Sequence, residues 1–313
     1  MLDWGDLRVV VTGGAGMLGR VVCRLLQERG CESVFVVRRS EYELTDERAV
    51  ERLYDEKSPD VVLHLAAEVG GIGANRARPG RFFYANLAMG MHLIEHARRR
   101  NIRKFVQVGT VCAYPKHCPV PFREENLWDG YPEENNAPYG VAKKALFVML
   151  DAYRQEYGLR SALVLPANLY GPHDDFDLST SHVIPALIRK CVDGVEAGED
   201  RIVCWGTGSA SREFLHVGDA GEGVVAAAER MDEPVPINLG TGREVTIRAL
   251  VELIARLAGF EGTIEWDASK PDGQPRRSID VSRARELLGW EAGVDLEQGL
   301  RSTIDWYRRH RNA

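Results

Sequence analysis

At 313 residues the chain is long enough to bury a large core, either as one big domain or as a main domain carrying a smaller one. Its composition is that of an ordinary globular protein, 44% hydrophobic and 27% charged, with no low-complexity tract. A net charge of −6 excludes a general basic field for nucleic acid or anionic lipid, so an anionic ligand must be held by local cations.

The chain opens on Met1-Leu2-Asp3-Trp4-Gly5-Asp6, an acidic start that runs straight into a strand-like segment and does not read as a signal peptide. No apolar stretch approaches the roughly 20 residues that a membrane span needs. A first short apolar strand is expected at 9–11. It is followed by Gly13, Gly14, Ala15, Gly16, Met17, Leu18 and Gly19, and then by an amphipathic helix over 18–29. The glycines fit G-x-G-x-x-G and also the wider G-x-x-G-x-x-G spacing. Such a turn permits close backbone approach to a pyrophosphate lying on the helix N-terminus. By itself the pattern also fits a plain strand-to-helix turn; its position after a strand and before a helix favours a dinucleotide site.

A second strand over 34–37 ends in Arg38 and Arg39. An acidic residue at this point would bind the ribose 2′-hydroxyl, whereas arginine accommodates a 2′-phosphate, so NADP(H) is expected rather than NAD(H). A merely solvated basic turn is the other reading, and Glu41 and Glu43 lie close by. Strands over 61–65, 105–108 and 162–165 alternate with helices over 81–100 and 139–157. This alternation predicts an α/β fold, a Rossmann-type doubly wound parallel sheet with ligands at the carboxyl ends of its strands.

Val108, Gly109 and Thr110 close the fourth strand, where substrate contacts belong and where the Thr110 hydroxyl is placed to meet a reacting oxygen. Tyr139 and Lys143 then fall four apart on one helical face. A tyrosine with a pKa of roughly 10 needs help to exchange a proton near neutrality, and an ammonium one turn away supplies it. Out of context Y-x-x-x-K is an ordinary helix surface, and Thr110 an ordinary strand-ending polar residue. After a glycine turn and four predicted strands, the pair reads as catalytic.

Beyond residue 165 the pattern loosens into helices near 182–192, 218–230, 246–258 and 296–309 separated by Gly/Pro-rich loops. We expect residues 1–167 to bind NADP(H), with later segments returning to that domain. Residues 168–313 should form mainly a smaller, discontinuous α/β substrate domain. The six cysteines have no metal-ligand spacing, and His64, His92, His96, His117, His173, His216 and His310 offer none either. A reduced, cytoplasmic protein without a metal is the expectation.

The glycine turn, Thr110, Tyr139 and Lys143 resemble the extended short-chain dehydrogenase/reductases. Segments 66–75, 112–116, 166–174, 181–187, 212–217 and 267–273 narrow the resemblance to the GDP-L-fucose synthase family. Its members are 3,5-epimerase/4-reductases of GDP-4-keto-6-deoxymannose. The resemblance spans nearly the whole chain. It implies that Tyr139 protonates O4 during reduction, with Lys143 supporting it and holding the nicotinamide ribose. Cys112 and His182 would be the acid/base pair of epimerisation. Val108, Gly109, Pro166, Ala167, Asn168, Leu169 and His182 would line the cofactor pocket. Lys190, Trp205, Arg212 and Asp272 would contact the GDP-sugar. The family usually carries serine where this chain has Thr110, and often arginine where it has Lys190. The extra methyl crowds the sugar near C4, and lysine loses the bidentate phosphate geometry.

Chemistry supports the implied pair independently. A C4 ketone acidifies the protons on C3 and C5, and inversion needs two proton-transfer groups besides the tyrosine. Cysteine and histidine are suited because small environmental changes bring both near neutrality. Read without the resemblance, Cys112 is a small buried hydrophobe and His182 a helix cap. Two other functions stay open: a related reductase acting on another GDP-4-keto sugar, a dideoxyhexose or heptose, and a non-catalytic NADP(H) sensor. The resemblance also implies a homodimer formed through the helices over 81–100 and 139–157.

Overall fold

The computed structural model describes residues 2–270 and 272–311. Met1 of the acidic start, Pro271 of the 267–273 segment and the final two residues lie outside that range. The chain alternates β1 (Arg8–Thr12), α1 (Met17–Glu28), β2 (Ser33–Val37), α2 (Glu47–Lys57), β3 (Val61–His64), α3 (Ile72–Ala77), α4 (Pro79–Arg99), β4 (Lys104–Val108), α5 (Ala137–Tyr157) and β5 (Ser161–Pro166). It continues through β6 (Asn168–Tyr170), α6 (Val183–Ala197), β7 (Arg201–Trp205), β8 (Ser211–His216), α7 (Val217–Arg230), β9 (Pro236–Leu239), β10 (Glu244–Thr246), α8 (Ile247–Ala258), β11 (Thr263–Asp267), β12 (Arg276–Arg277), α9 (Ser282–Leu288) and α10 (Leu296–His310).

Six strands form one parallel sheet in the order β2-β1-β3-β4-β5-β9. Every residue of β3, β4 and β5 is buried, which is why these runs are mainly apolar rather than alternating, with His64, Lys104, Gln107 and Ser161 as buried polar exceptions. Helices α4 and α5 pack against each other, as do α1 and α7. The α4–α5 crossing is tight: a Cβ on Gly90 would overlap the Leu146 side chain. Strand order reverses at β1, which has β2 on one side and β3 on the other, and ligands bind at the crevice this opens.

A second core gathers Tyr170, Ile188, Ile202, Phe214, Leu250, Ile254, Leu300 and Ile304. It is built from α6, α8, α10 and the strands near them. The chain does not stay there, because α7, β9 and α9 contribute Val224, Ile237, Leu239 and Leu288 to the core of the large sheet. Around β8 a small sheet joins β6, β10 and β12, linking the two cores. Strand β9 leaves little sequence signal: it is four residues long and begins at a proline.

Candidate active site

The carboxyl ends of β1 and β3 are tied together by a buried hydrogen bond of 2.7 Å between Thr12 Oγ1 and His64 Nδ1. The Ala66 amide also donates to Thr12 Oγ1 at 3.2 Å. Gly13 follows with φ +71°, and a Cβ there would lie 2.8 Å from the Ala66 nitrogen. A Cβ on Gly14 would press on Val36, and one on Gly19 would overlap the Gly13 carbonyl. Gly16 opens α1 with no side chain capping it, and the first turn holds no acidic residue. Free amides and a bare backbone surface fit the pyrophosphate of a dinucleotide. Ala15, Met17 and Leu18 complete this turn, and the Ala15 carbonyl accepts a bond from Arg20 Nε at 2.9 Å.

Both arginines after β2 are exposed, yet they are not equivalent. Arg39 pairs with Glu43 at 2.8 Å and approaches Glu68 to 3.5 Å, and Glu68 is also held by Arg81. Arg38 pairs with no carboxylate among the described residues, and its charge bears on Cys23 beneath the glycine turn.

On α5, Lys143 Nζ stands 6.0 Å from the centre of the Tyr139 ring. Lys143 is buried with no carboxylate partner among the described residues, and burial brings its ammonium down to about 8. Tyr139 is half-buried. Burial and the neighbouring Cys112 push its phenol up, opposed by a hydrogen bond with the Thr110 hydroxyl. A phenol so held keeps its proton near neutrality.

Gly140 lets α5 settle onto the turn at Val111–Ala113, since a Cβ there would lie 2.6 Å from the Cys112 carbonyl oxygen. Thr110 caps that turn by accepting the Cys112 amide at 3.1 Å, leaving its own hydroxyl hydrogen to donate elsewhere. Thr110, Cys112 and Tyr139 thus come together at the end of β4. Val108 is buried beneath them. The Gly109 amide bonds to the Val164 carbonyl at 2.8 Å, which keeps β4 and β5 in register at the cleft.

Pro166 ends β5, the Ala167 amide bonds to the Leu239 carbonyl at 2.9 Å, and Asn168 Nδ2 donates to the Glu213 carbonyl at 2.8 Å. Leu169 follows in β6 opposite Leu215. His182 precedes α6 without capping it, whereas His216 does cap α7 through a 3.2 Å bond from the Gly218 amide. The helix-cap account of His182 therefore has no hydrogen bond behind it. Its ring reaches solvent, and the segment leading to it is fixed by the Gly71 amide bonding to Thr180 at 3.1 Å. The surrounding walls hold the imidazole below its ordinary value, while Asp175 pulls the other way.

A second wall of polar groups forms around the end of β7. Lys190 Nζ donates to the Val203 carbonyl at 2.7 Å, Trp205 stands 60% exposed, and Arg212 Nη2 reaches the Asp272 carbonyl at 3.3 Å. The Asp272 carboxylate holds the Thr207 amide at 2.7 Å, tying its loop to the turn after Trp205. Burial, with Arg277 beside it, brings the Arg212 guanidinium down to about 10. No group of three or more metal-binding side chains occurs among the described residues, and no helix is long and apolar enough to cross a membrane.

Residues 9–240 match the NAD dependent epimerase/dehydratase family. The chain belongs to that family. Within it, the chain is 39% identical to GDP-L-fucose synthase 1 of Arabidopsis thaliana, covering 97% of this chain and 94% of that protein. It is also 39% identical to GDP-L-fucose synthase of Escherichia coli strain K12, covering 96% of each. The crystal structure of a GDP-L-fucose synthetase from Naegleria fowleri bound to NADP superposes with a TM-score of 0.91 at 26% identity, covering 99% of this chain and 95% of that one. A nicotinamide cofactor is what this family's fold holds, and the bare turn from Gly13 to Gly19 suits it.

Two residues in contact with Cys112 carried no sequence signal. Gly140 looks like any helical glycine until α5 is docked on Cys112. Arg277 lies in a two-residue strand whose parallel pairing beside Arg212 depends on the small sheet around β8.

Proposed function

We propose that the chain is an NADPH-dependent 3,5-epimerase/4-reductase that converts a GDP-4-keto-6-deoxy-D-mannose-type sugar to GDP-L-fucose. The observation that carries this reading is the shared corner of Thr110, Cys112 and Tyr139, where a proton donor for O4 and a proton-transfer group for ring carbons stand side by side. A simple ketoreductase needs the first and has no use for the second.

When bound, the nicotinamide supplies the hydride for C4. The residues do the rest. Before reduction, the C4 ketone acidifies the C3 and C5 protons, and Cys112 and His182 exchange them on opposite faces of the ring. During reduction Tyr139 gives its proton to O4, with Thr110 donating a hydrogen bond to the same oxygen. The buried ammonium of Lys143 stabilises the phenolate left behind. Val108, Gly109 and the run from Pro166 to Leu169 enclose the nicotinamide, and Arg38 meets the 2′-phosphate. Lys190, Trp205, Arg212 and Asp272 hold the GDP portion.

Residues 1–167 serve as the cofactor domain and 168–313 mainly as the substrate domain. The protein acts in the cytoplasm as a homodimer through α4 and α5, whose outer faces expose Tyr84, Met91 and Val148. Proton and carbon NMR of the product from GDP-4-keto-6-deoxymannose and NADPH tests the function. GDP-L-fucose is the expected product, and unchanged substrate refutes the reading. The Thr110 methyl favours one second reading, 4-reduction of another GDP-4-keto sugar with less bulk near C4. Faster turnover of a dideoxyhexose or heptose substrate would select it.

A further inference from the structure

The four residues that would hold the GDP portion leave one requirement of a nucleotide base unmet. Lys190, Trp205 and Arg212 carry side-chain donors and no acceptor. Lys190 Nζ is already turned to the Val203 carbonyl at 2.7 Å. Asp272 is an acceptor, but its Oδ1 takes the Thr207 amide at 2.7 Å and its Oδ2 the Thr207 hydroxyl at 2.8 Å. That carboxylate fastens the loop after β7, and a base with N–H groups to satisfy needs another partner.

Asp267 supplies one. It ends β11 in register with Trp205, the last residue of β7. Side chains at paired positions of neighbouring strands, about 4.8 Å apart, share a face. Strand β7 alternates exposed and buried residues, so Arg201, Val203 and Trp205 form that face and the Asp267 carboxylate flanks an indole that is 60% exposed. Asp267 Oδ1 accepts the Ser269 amide at 3.0 Å and the Ser269 hydroxyl at 2.5 Å, which orients the group. No donor reaches Oδ2 among the described residues. The Ser269 bonds, with the charge of Lys270, hold the carboxyl below the usual carboxylate range, so it is ionised at neutral pH. Lys270 Nζ itself stands 5.6 Å from the centre of the Trp205 ring. The other carboxylate of this face, Glu265, lies opposite Val203 and is paired with Arg201 at 3.3 Å.

We propose that Asp267 is the specificity-determining residue for the base, selecting guanine for stacking on Trp205. An indole by itself does not discriminate, because every base has a π-face to stack. Guanine is the common base that presents two adjacent donors on one edge, N1–H and the 2-amino group. An ionised carboxylate accepts both in two charge-assisted hydrogen bonds. Adenine turns a lone pair at N1 toward the carboxylate, and hypoxanthine keeps N1–H but lacks the amino group. The inference rests on the proposed GDP-sugar reading and adds to it the group that reads the base.

The test is calorimetric titration of the full chain, saturated with NADP+ to close the cofactor site, with guanosine, inosine and xanthosine diphosphates. The parent should bind GDP roughly 10- to 100-fold more tightly than the inosine analogue, the loss expected when one bond of a bidentate pair is removed. Asp267→Asn should lose that preference and turn to xanthosine diphosphate, because an amide accepts from N1–H and donates to the 2-oxo group. A parent that binds GDP and its inosine analogue alike overturns the assignment of Asp267 while leaving the GDP-sugar reading in place. So does a folded Asp267→Asn that still prefers GDP over xanthosine diphosphate by the parent's margin. A parent that binds no GDP overturns the GDP-sugar reading and the assignment with it. If Asp267→Asn does not fold, the ratio measured in the parent decides alone.

Discussion

Gly140 of α5 rests directly on the carbonyl of Cys112, so closely that a Cβ would lie 2.6 Å from that oxygen and 3.2 Å from the Ala113 Cα. Because Tyr139 is the adjacent residue, this contact sets the distance between the phenol and the turn carrying Thr110 and Cys112. Both obstacles are backbone atoms, which cannot swing aside. Gly140→Ala should push the helix outward, costing about 1–3 kcal/mol of stability. Displacing the proton donor by about 1 Å should lower the reduction rate roughly 100-fold. NADPH affinity should change little. Denaturant unfolding, steady-state reduction and a cofactor titration measure the three effects; an unimpaired rate would remove Gly140 from the positioning of Tyr139.

Lys143 makes a prediction about stability and pH. Its ammonium is buried and brought down from 10.5 to about 8, so the folded protein gives up this proton more readily than the unfolded chain. Below about pH 8 the group is charged in both states and the burial penalty is fully present. Between about pH 8 and 10.5 the unfolded chain binds more protons, and this group's contribution to stability rises with pH. Lys143→Met should therefore be more stable than the parent at pH 7, by roughly 3 kcal/mol at most. That gain should fade as pH approaches 10, while reduction is largely lost. Urea unfolding of both proteins at pH 7 and 10 checks the sign, and a gain that grows with pH would contradict it.

The two arginines after β2 should differ in effect. Arg38 carries no ion pair among the described residues, whereas Arg39 is engaged by Glu43 and lies near Glu68. NADPH should bind more tightly than NADH, and Arg38→Ala should erase more of that preference than Arg39→Ala. Replacing both should bring the two affinities close together. Fluorescence titration of each variant with both cofactors gives the ratios; equal affinities in the parent protein would defeat the assignment.

Epimerisation and reduction should separate by mutation. Cys112→Ala should lose inversion and deuterium uptake at C3 and C5 in deuterated water, while Tyr139, Lys143 and the cofactor site stay in place. His182→Ala should lose them as well. Tyr139→Phe should do the opposite, exchanging deuterium while reduction falls by about 100-fold or more. NMR of the recovered sugar, with and without NADPH, reads both outcomes. Normal inversion in the Cys112 variant would return that residue to a packing role.

The sequence by itself determined what is written in local pattern. The runs of β3, β4 and β5 are legible because strands buried on both faces are mainly apolar, and the turn from Gly13 to Gly19 is legible because its tight approaches exclude side chains at the glycines. Tyr139 and Lys143 are legible because helical periodicity alone brings residues four apart onto one face. Contacts between distant segments were beyond reach. No local rule places Arg277 beside Cys112, 165 positions earlier in the chain, since that contact depends on β12 docking against β8. The approach of Glu68, in the loop after β3, to Arg39 likewise joins residues far apart in the chain. Periodicity and steric exclusion act along the chain and survive in its spelling, whereas long-range charge pairing and close packing act through space and exist only once distant segments have packed together.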